Sequence, residues 1–171
     1  MQTKPALIAL FIQPLLSVPF ILAATIFAAA NTLATPSREW QQGNGKIVAQ
    51  IRSVLQAQQE AWNRGDLDAF MNAYARSAST VFVSEDKVTR GWKALRDRYK
   101  KRYSDRAKMG TLTFSALEIT PLSDDCAVAL GHWELKGAID QPHGRFTLIF
   151  RRLDAGWQIV HDHTSAASPP R

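Results

Sequence analysis

The sequence predicts an α+β fold in which three N-terminal helices pack on a curved four-strand antiparallel meander. Two observations carry this. Apolar residues recur at helical spacing over the first part of the domain, and after Gly110 they alternate with a period of two. The two patterns are segregated along the chain rather than interleaved, which argues against βαβ crossovers.

The chain of 171 residues opens on a stretch, residues 6–30, that carries no charge. Lys4 precedes it and Ala28-Ala29-Ala30 closes it, the order of a secretory signal. A stretch of about 25 residues is also long enough to span a bilayer as an uncleaved anchor, although Pro14 and Pro19 interrupt it. The expectation is export to a periplasmic or extracellular location with cleavage near Ala30 or Ala34. The alternative is attachment through a transmembrane segment. No Cys follows the apolar stretch, so lipid modification is not expected.

Residues 31–45, with Pro36, Gly43 and Gly45, read as a linker. The domain is expected over 46–165, with 166–171 as a tail. Those 120 residues suffice for one core and not for two. The first helix carries Ile47, Ile51, Leu55, Gln58 and Trp62 on one stripe and stops at Asn63-Arg64-Gly65. Asp66 caps the second helix, which presents Leu67, Phe70, Met71 and Tyr74. Both Asn63 and Asp66 are read as capping residues. Val81-Phe82-Val83 is a short strand turning at Ser84-Glu85-Asp86-Lys87, and Arg90-Gly91 leads into a third helix from Trp92 to Tyr103.

Strands are expected over Thr111 to Thr120, Cys126 to Lys136 and Arg145 to Leu153, ahead of a final strand that starts at Gly156. Turn residues at Asp124-Asp125 and Asp154-Ala155 join them as hairpins. Gly131, Trp133 and Leu135 should share a face, as should Phe146, Leu148 and Phe150, with His132 and Glu134 opposed. Cys126, the sole cysteine, cannot form an internal disulfide. It reads as a small buried hydrophobe in its strand.

Formal charge is +6, and the positive residues crowd between Lys87 and Lys108. Trp92, Leu95, Tyr99 and Tyr103 recur within that stretch at helical spacing, so the basic residues read as the solvated face of an amphipathic helix. No zinc-finger spacing, aromatic RNA-binding signature or Gly-rich phosphate loop accompanies them. Nucleic-acid binding is therefore not expected, and neither is a cofactor. A membrane partner is expected only if the N-terminal segment stays attached.

Several segments together resemble the nuclear transport factor 2-like superfamily, in particular its SnoaL-like members and the association domains of calcium/calmodulin-dependent kinases. They are Ala61-Trp62-Asn63-Arg64-Gly65-Asp66, Arg90-Gly91-Trp92, Gly131-His132-Trp133, Phe146-Thr147-Leu148-Ile149-Phe150 and the final Gly156-Trp157-Gln158-Ile159-Val160-His161-Asp162-His163-Thr164-Ser165. Kinase association domains end in a similar Trp-x-x-Val-His-x-His-x-Ser run. The resemblance implies a cone with a pocket between helices and sheet, and a homodimer through the outer sheet face. It does not imply one activity, because isomerases, cyclases, dehydratases, transport adaptors and oligomerisation hubs share this architecture.

Strict alternation in the last strand would place Trp157, Ile159, His161 and His163 on one face and Asp162 on the other. The expected role is binding of a small, partly apolar ligand. Its pocket would be floored by His161 and His163 and walled by Tyr74, Trp92, Tyr99, Trp133 and Trp157. Either histidine would be the base if the protein catalyses cofactor-independent acid–base chemistry of the isomerase, cyclase or dehydratase type. A dimerising module without ligand is the third reading, with Val128, Leu130 and Ile149 facing away from the pocket. A metal would need Glu134, His132 or His143 as third ligand and no spacing motif supports that, so none is expected. Neither Ser165 nor Cys126 sits in a nucleophile elbow.

Overall fold

The computed structural model describes residues 38–138 and 141–167, all within the unit Pro36–Arg171. The expected signal or anchor at 1–30 and the end of the tail lie outside the described residues. Among the described residues no helix is long and apolar enough to cross a membrane.

The first helix, α1, runs Arg38–Asn63. Ile47, Ile51, Leu55, Gln58 and Trp62 are all buried, so the apolar stripe is the face that packs on the sheet. The helix starts inside the stretch expected as linker. Gly43 and Gly45 have open space where a side chain would stand, and an exposed helical glycine costs only about 1 kcal/mol. At its other end the Asp66 N–H reaches back to the Ala61 carbonyl (2.9 Å) and the Gly65 N–H to that of Trp62 (2.8 Å), with Gly65 at φ 81°. This doubly bonded stop is what Asn-Arg-Gly announces in the sequence.

Asp66 caps α2 (Leu67–Phe70), its carboxylate accepting from the Ala69 N–H at 2.9 Å. A single 3-10 turn, Met71–Ala73, follows. Asn63 is no cap. Its amide donates to the Leu112 carbonyl (3.0 Å) and accepts from the Leu112 N–H (2.7 Å), while Gln59 accepts from the Phe114 N–H (2.6 Å). One turn of α1 thus occupies alternate backbone groups of an edge strand that would otherwise be open.

A hairpin of β1 (Val81–Ser84) and β2 (Lys87–Arg90) leads into α3 (Trp92–Arg102). A short α4, Arg106–Met109, is capped by Asp105. It ends at Gly110, where a Cβ would lie 2.6 Å from the Lys136 carbonyl oxygen. The long strands are β3 (Thr111–Ser123), β4 (Cys126–Lys136), β5 (His143–Leu153) and β6 (Gly156–Thr164). They form the expected antiparallel meander. The sheet nevertheless has six strands, in the order β2-β1-β6-β5-β4-β3, because β1 pairs in parallel with β6. Periodicity reports that a strand exists, not which neighbour completes its ladder. Cys126, at the start of β4, is only half-buried.

Of the three register shifts in the sheet among the described residues, two bear on the cavity. The β3–β4 register slips between Ser115 and Glu118, and Ala116 takes φ 48°, a bulge that bends the sheet around α1. The second lies in β6. Phe150 pairs with Ile159 but Ile149 pairs with His161, so Val160 is an extra residue. Trp157 and Ile159 face the core. Beyond the bulge the phase inverts, and the inward residues become Asp162 and Thr164. The expectation that His161 and His163 continue the face of Trp157 and Ile159 is overturned by this one inserted residue.

Candidate functional site

The inner faces of β4, β5 and β6, roofed by α1, α2 and α3, enclose a cavity of about 110 Å³. An enclosed apolar cavity of ~150 Å³ admits benzene, so this smaller space suits a small group of a ligand whose remainder lies toward the mouth. Phe70, Phe82, Phe114, Phe146 and Leu148 supply apolar wall. Against that wall stand a few polar groups, and the position of each has a local cause.

Asp162 is 3% exposed and lines the cavity. The inverted phase of β6 turns it inward. Its two oxygens take different donors, the Tyr74 hydroxyl to Oδ2 at 2.6 Å and the Thr164 hydroxyl to Oδ1 at 2.6 Å. Tyr74 reaches it because the chain after the 3-10 turn is pinned beside β6. The Ala75 N–H donates to the Ile159 carbonyl at 2.9 Å, and Tyr74 bridges Ile159 in parallel.

Burial pushes the Asp162 carboxyl up to about 6, against the opposing pull of the Thr164 and Tyr74 hydrogen bonds and the nearby His163. Burial, then the charge of Asp162, drives the Tyr74 phenol well above its ordinary range. The Tyr99 phenol is raised for the same two reasons. Both phenols therefore stay protonated as hydrogen-bond donors, while the carboxyl changes state just below neutrality. A buried carboxylate of that kind beside neutral donors can accept and return a proton.

Gln58 is 3% exposed and lines the same cavity. Its stripe position on α1 makes it face inward among apolar neighbours. Arg98 and Arg102, one turn apart on α3, border the mouth together with Glu85 of the β1–β2 turn.

Of the residues expected to bind ligand, Tyr74, Tyr99 and Trp133 line the cavity, and Trp92 and Trp157 do not. The Trp92 indole donates to the Met71 carbonyl (3.0 Å) and lies against Arg76 and Arg96, fastening α3 to the 3-10 turn. Trp157 is buried with its indole on Gln50 Oε1 (3.1 Å), fastening β6 to α1. Aromatic spacing does not distinguish a pocket wall from such a fastening. His161 and His163 stand on the outer face, half-buried and exposed respectively, and neither lines the cavity. His132 and His143 share that face with ring centroids 6.0 Å apart. Among the described residues no group of three His, Cys, Asp or Glu side chains gathers as a metal site.

Asp162, Thr164, Gln58, Arg98 and Arg102 escaped the sequence reading as site residues. One signal was present for the first two. Ile159-Val160 places two large apolar residues side by side in a strand that otherwise alternates, as a bulge would.

A family model for the SnoaL-like domain matches residues 51–169. Among solved structures, the chain is similar to an NTF-2 like protein of unknown function from Shewanella oneidensis MR-1. The two are 40% identical over 70% of this chain and 98% of that one, with a TM-score of 0.67. It is also similar to a ketosteroid isomerase-like protein from Erwinia carotovora atroseptica SCRI1043, at 21% identity over 71% of this chain and 96% of that one, TM-score 0.57. A putative calcium/calmodulin dependent protein kinase II association domain from Xanthomonas campestris matches at 17% identity over 70% and 87%, TM-score 0.57. The last two likenesses show the fold alone. No curated protein matches the chain.

Proposed function

The chain belongs to the SnoaL-like domain family of the nuclear transport factor 2-like superfamily, and from that premise we propose that it binds a small, partly apolar molecule in the cavity and moves a proton on it with Asp162. The observation that carries this reading is the buried Asp162 carboxylate, held by Tyr74 and Thr164 and open to the cavity.

A small ketone set against Asp162 is the simplest substrate for such a group. The α-carbon C–H bond breaks, its proton passes to a carboxylate oxygen, and the electron pair moves onto the carbonyl oxygen as an enolate. Return of the proton to carbon completes an exchange or an isomerisation. No atom is gained or lost. The surrounding apolar wall strengthens each electrostatic contact to the enolate, and the fixed carboxylate keeps the base at the reacting carbon.

The test is exchange of the α-protons of cyclohexanone in D2O at pH 7.5. The purified protein should accelerate it, and Asp162→Asn, still folded, should not. Equal rates for the two proteins would reject the proposal.

The outer sheet face supports a second, compatible proposal, a homodimer. Leu130 is 38% exposed there, and Val128 and Ile149 pair in register beside it. Apolar surface of this kind is commonly covered by a partner. Light scattering that gives a monomer mass at micromolar concentration would reject it. Export is likewise proposed, on the uncharged stretch at residues 6–30, and signal cleavage is read from the mass of the mature protein.

A further inference from the structure

The mouth and the depth of the cavity carry different chemistry, and together they narrow the ligand. Arg98 and Arg102 border the opening. The other basic residues along this helix include Lys93, Arg96 and Lys100, which are engaged by Asp97 or Asp68. Neither mouth arginine has a carboxylate within ion-pair distance among the described residues. Arg98 donates to the Thr89 hydroxyl at 3.2 Å and lies over the Phe82 ring at 5.0 Å. Arg102 lies over the Tyr103 ring at 5.7 Å. The stacking orients both guanidiniums and leaves their charge uncancelled. Among the described residues Glu85, exposed in the β1–β2 turn, is the one acidic group on the rim, so those rim residues carry a net positive charge.

Deeper in, Gln58 supplies the second observation. It is 3% exposed and faces the cavity, and among the described residues nothing hydrogen-bonds its side-chain amide. Its amide is not among the fully enclosed side-chain groups that lack a partner, so it meets the open space of the cavity rather than packed atoms. On the same helix, Asn63 has both ends of its amide engaged by Leu112, and Gln59 has its oxygen engaged by the Phe114 N–H. Gln58 is thus a donor held ready inside an apolar wall.

Resting on the ligand-binding reading above, we propose that the ligand is a small oxo-acid whose carboxylate is held at the mouth by Arg98 and Arg102 and whose carbonyl oxygen accepts the amide N–H of Gln58. That orientation sets the carbon next to the carbonyl in the compartment of Asp162. The proton lost from that carbon goes to the carboxylate, and Gln58 meets the oxygen on which negative charge then develops. Arg98 and Arg102 are specificity residues here, and Gln58 touches the reacting carbonyl.

Two probes of one shape separate the claims, 4-oxocyclohexanecarboxylate and its neutral amide, 4-oxocyclohexanecarboxamide. Affinity is measured by calorimetry and α-proton exchange by NMR in D2O. The acid should bind the wild type about tenfold more tightly than the amide, the scale of charge-assisted contacts to a carboxylate. Arg102→Gln should erase much of that preference, and the Arg98→Gln/Arg102→Gln pair all of it, the acid losing far more affinity than the amide. Arg98, and not Arg102, is the one of the two bonded to β2, so the single Arg102 variant answers even if loss of Arg98 loosens that strand. Gln58→Leu should slow exchange of both probes alike. Equal binding of acid and amide, with Asp162-dependent exchange of both, overturns the oxo-acid assignment and leaves the acid–base site standing. Absence of binding and exchange for both probes overturns the ligand-binding reading, and this inference with it.

Discussion

The phenol of Tyr74 donates to Asp162 Oδ2 at 2.6 Å, joining two residues 88 positions apart inside the sheet's concave face. Neither group gains from its burial alone. Folding puts an ionisable carboxyl where little water reaches it, and the raised Asp162 value, about 6, registers the cost. Protein interiors hold such groups chiefly where function uses them.

Burial of Asp162 makes the stability of the fold depend on pH. The folded-state value of Asp162 rises from 3.8 to about 6, so between those pH values the folded state holds more protons than the unfolded. Stability from this residue is therefore fully present below about pH 4 and is lost as pH rises through 6, by roughly 3 kcal/mol in all. His163, Tyr74, Thr164 and Tyr99 are the neighbours that modulate the change. Asp162→Asn removes the ionisation. Urea denaturation from pH 4 to pH 8 should show the variant gaining on the wild type as pH rises, and parallel curves would contradict the burial.

Tyr74→Phe removes a hydrogen bond to the charged form of Asp162. The variant should lose about 1.5–3 kcal/mol at pH 8 and less at pH 5. The Asp162 titration should move further upward, and with it the acid limb of any activity profile.

His161→Ala and His163→Ala should change cavity binding and proton exchange by less than about twofold, as surface substitutions do. A hundredfold loss in either would mean that β6 has no bulge at Val160 and that the histidines face inward after all.

Asn63→Ala should cost about 1–3 kcal/mol, because it strips both backbone groups of Leu112 of their partner. Hydrogen exchange of the Leu112 amide should quicken by more than that of Leu135 across the strand pair, which keeps its bond to the Pro142 carbonyl.

Gly131→Ala should close the cavity. A Cβ there collides with the Phe146 ring and stands 2.9 Å from Leu117. Phe146 is a cavity wall residue, so displacing it should abolish ligand binding at a cost of about 1–3 kcal/mol in stability.

Much of the fold was legible because its patterns are local. The stripe from Ile47 to Trp62, the cap at Asp66, the helix from Trp92 and the shared face of Phe146, Leu148 and Phe150 are each set by near neighbours in sequence. The parallel pairing of β1 with β6 was not legible, since it depends on which ladder edge remains free once the meander has formed. The candidate site turned on one residue. Val160 inserts a bulge, and that exchanges His161 and His163 for Asp162 and Thr164 at the cavity floor. Tyr74, Tyr99 and Trp133 could be anticipated from chemistry, but so could Trp92 and Trp157, whose indoles serve as fastenings. The basic face of α3 read as solvated, which holds for Lys93 and Lys100 and misses Arg98 and Arg102, where the helix passes the mouth.

The proposed chemistry requires Asp162 to be a buried, titrating carboxyl open to the cavity. A carbon-13 NMR titration of the aspartate side chains, with Asp162→Asn to assign the resonance, tests it most directly. The resonance should titrate near pH 6 and shift when 4-oxocyclohexanecarboxylate is added. A midpoint near pH 4, unmoved by the probe, would contradict the account.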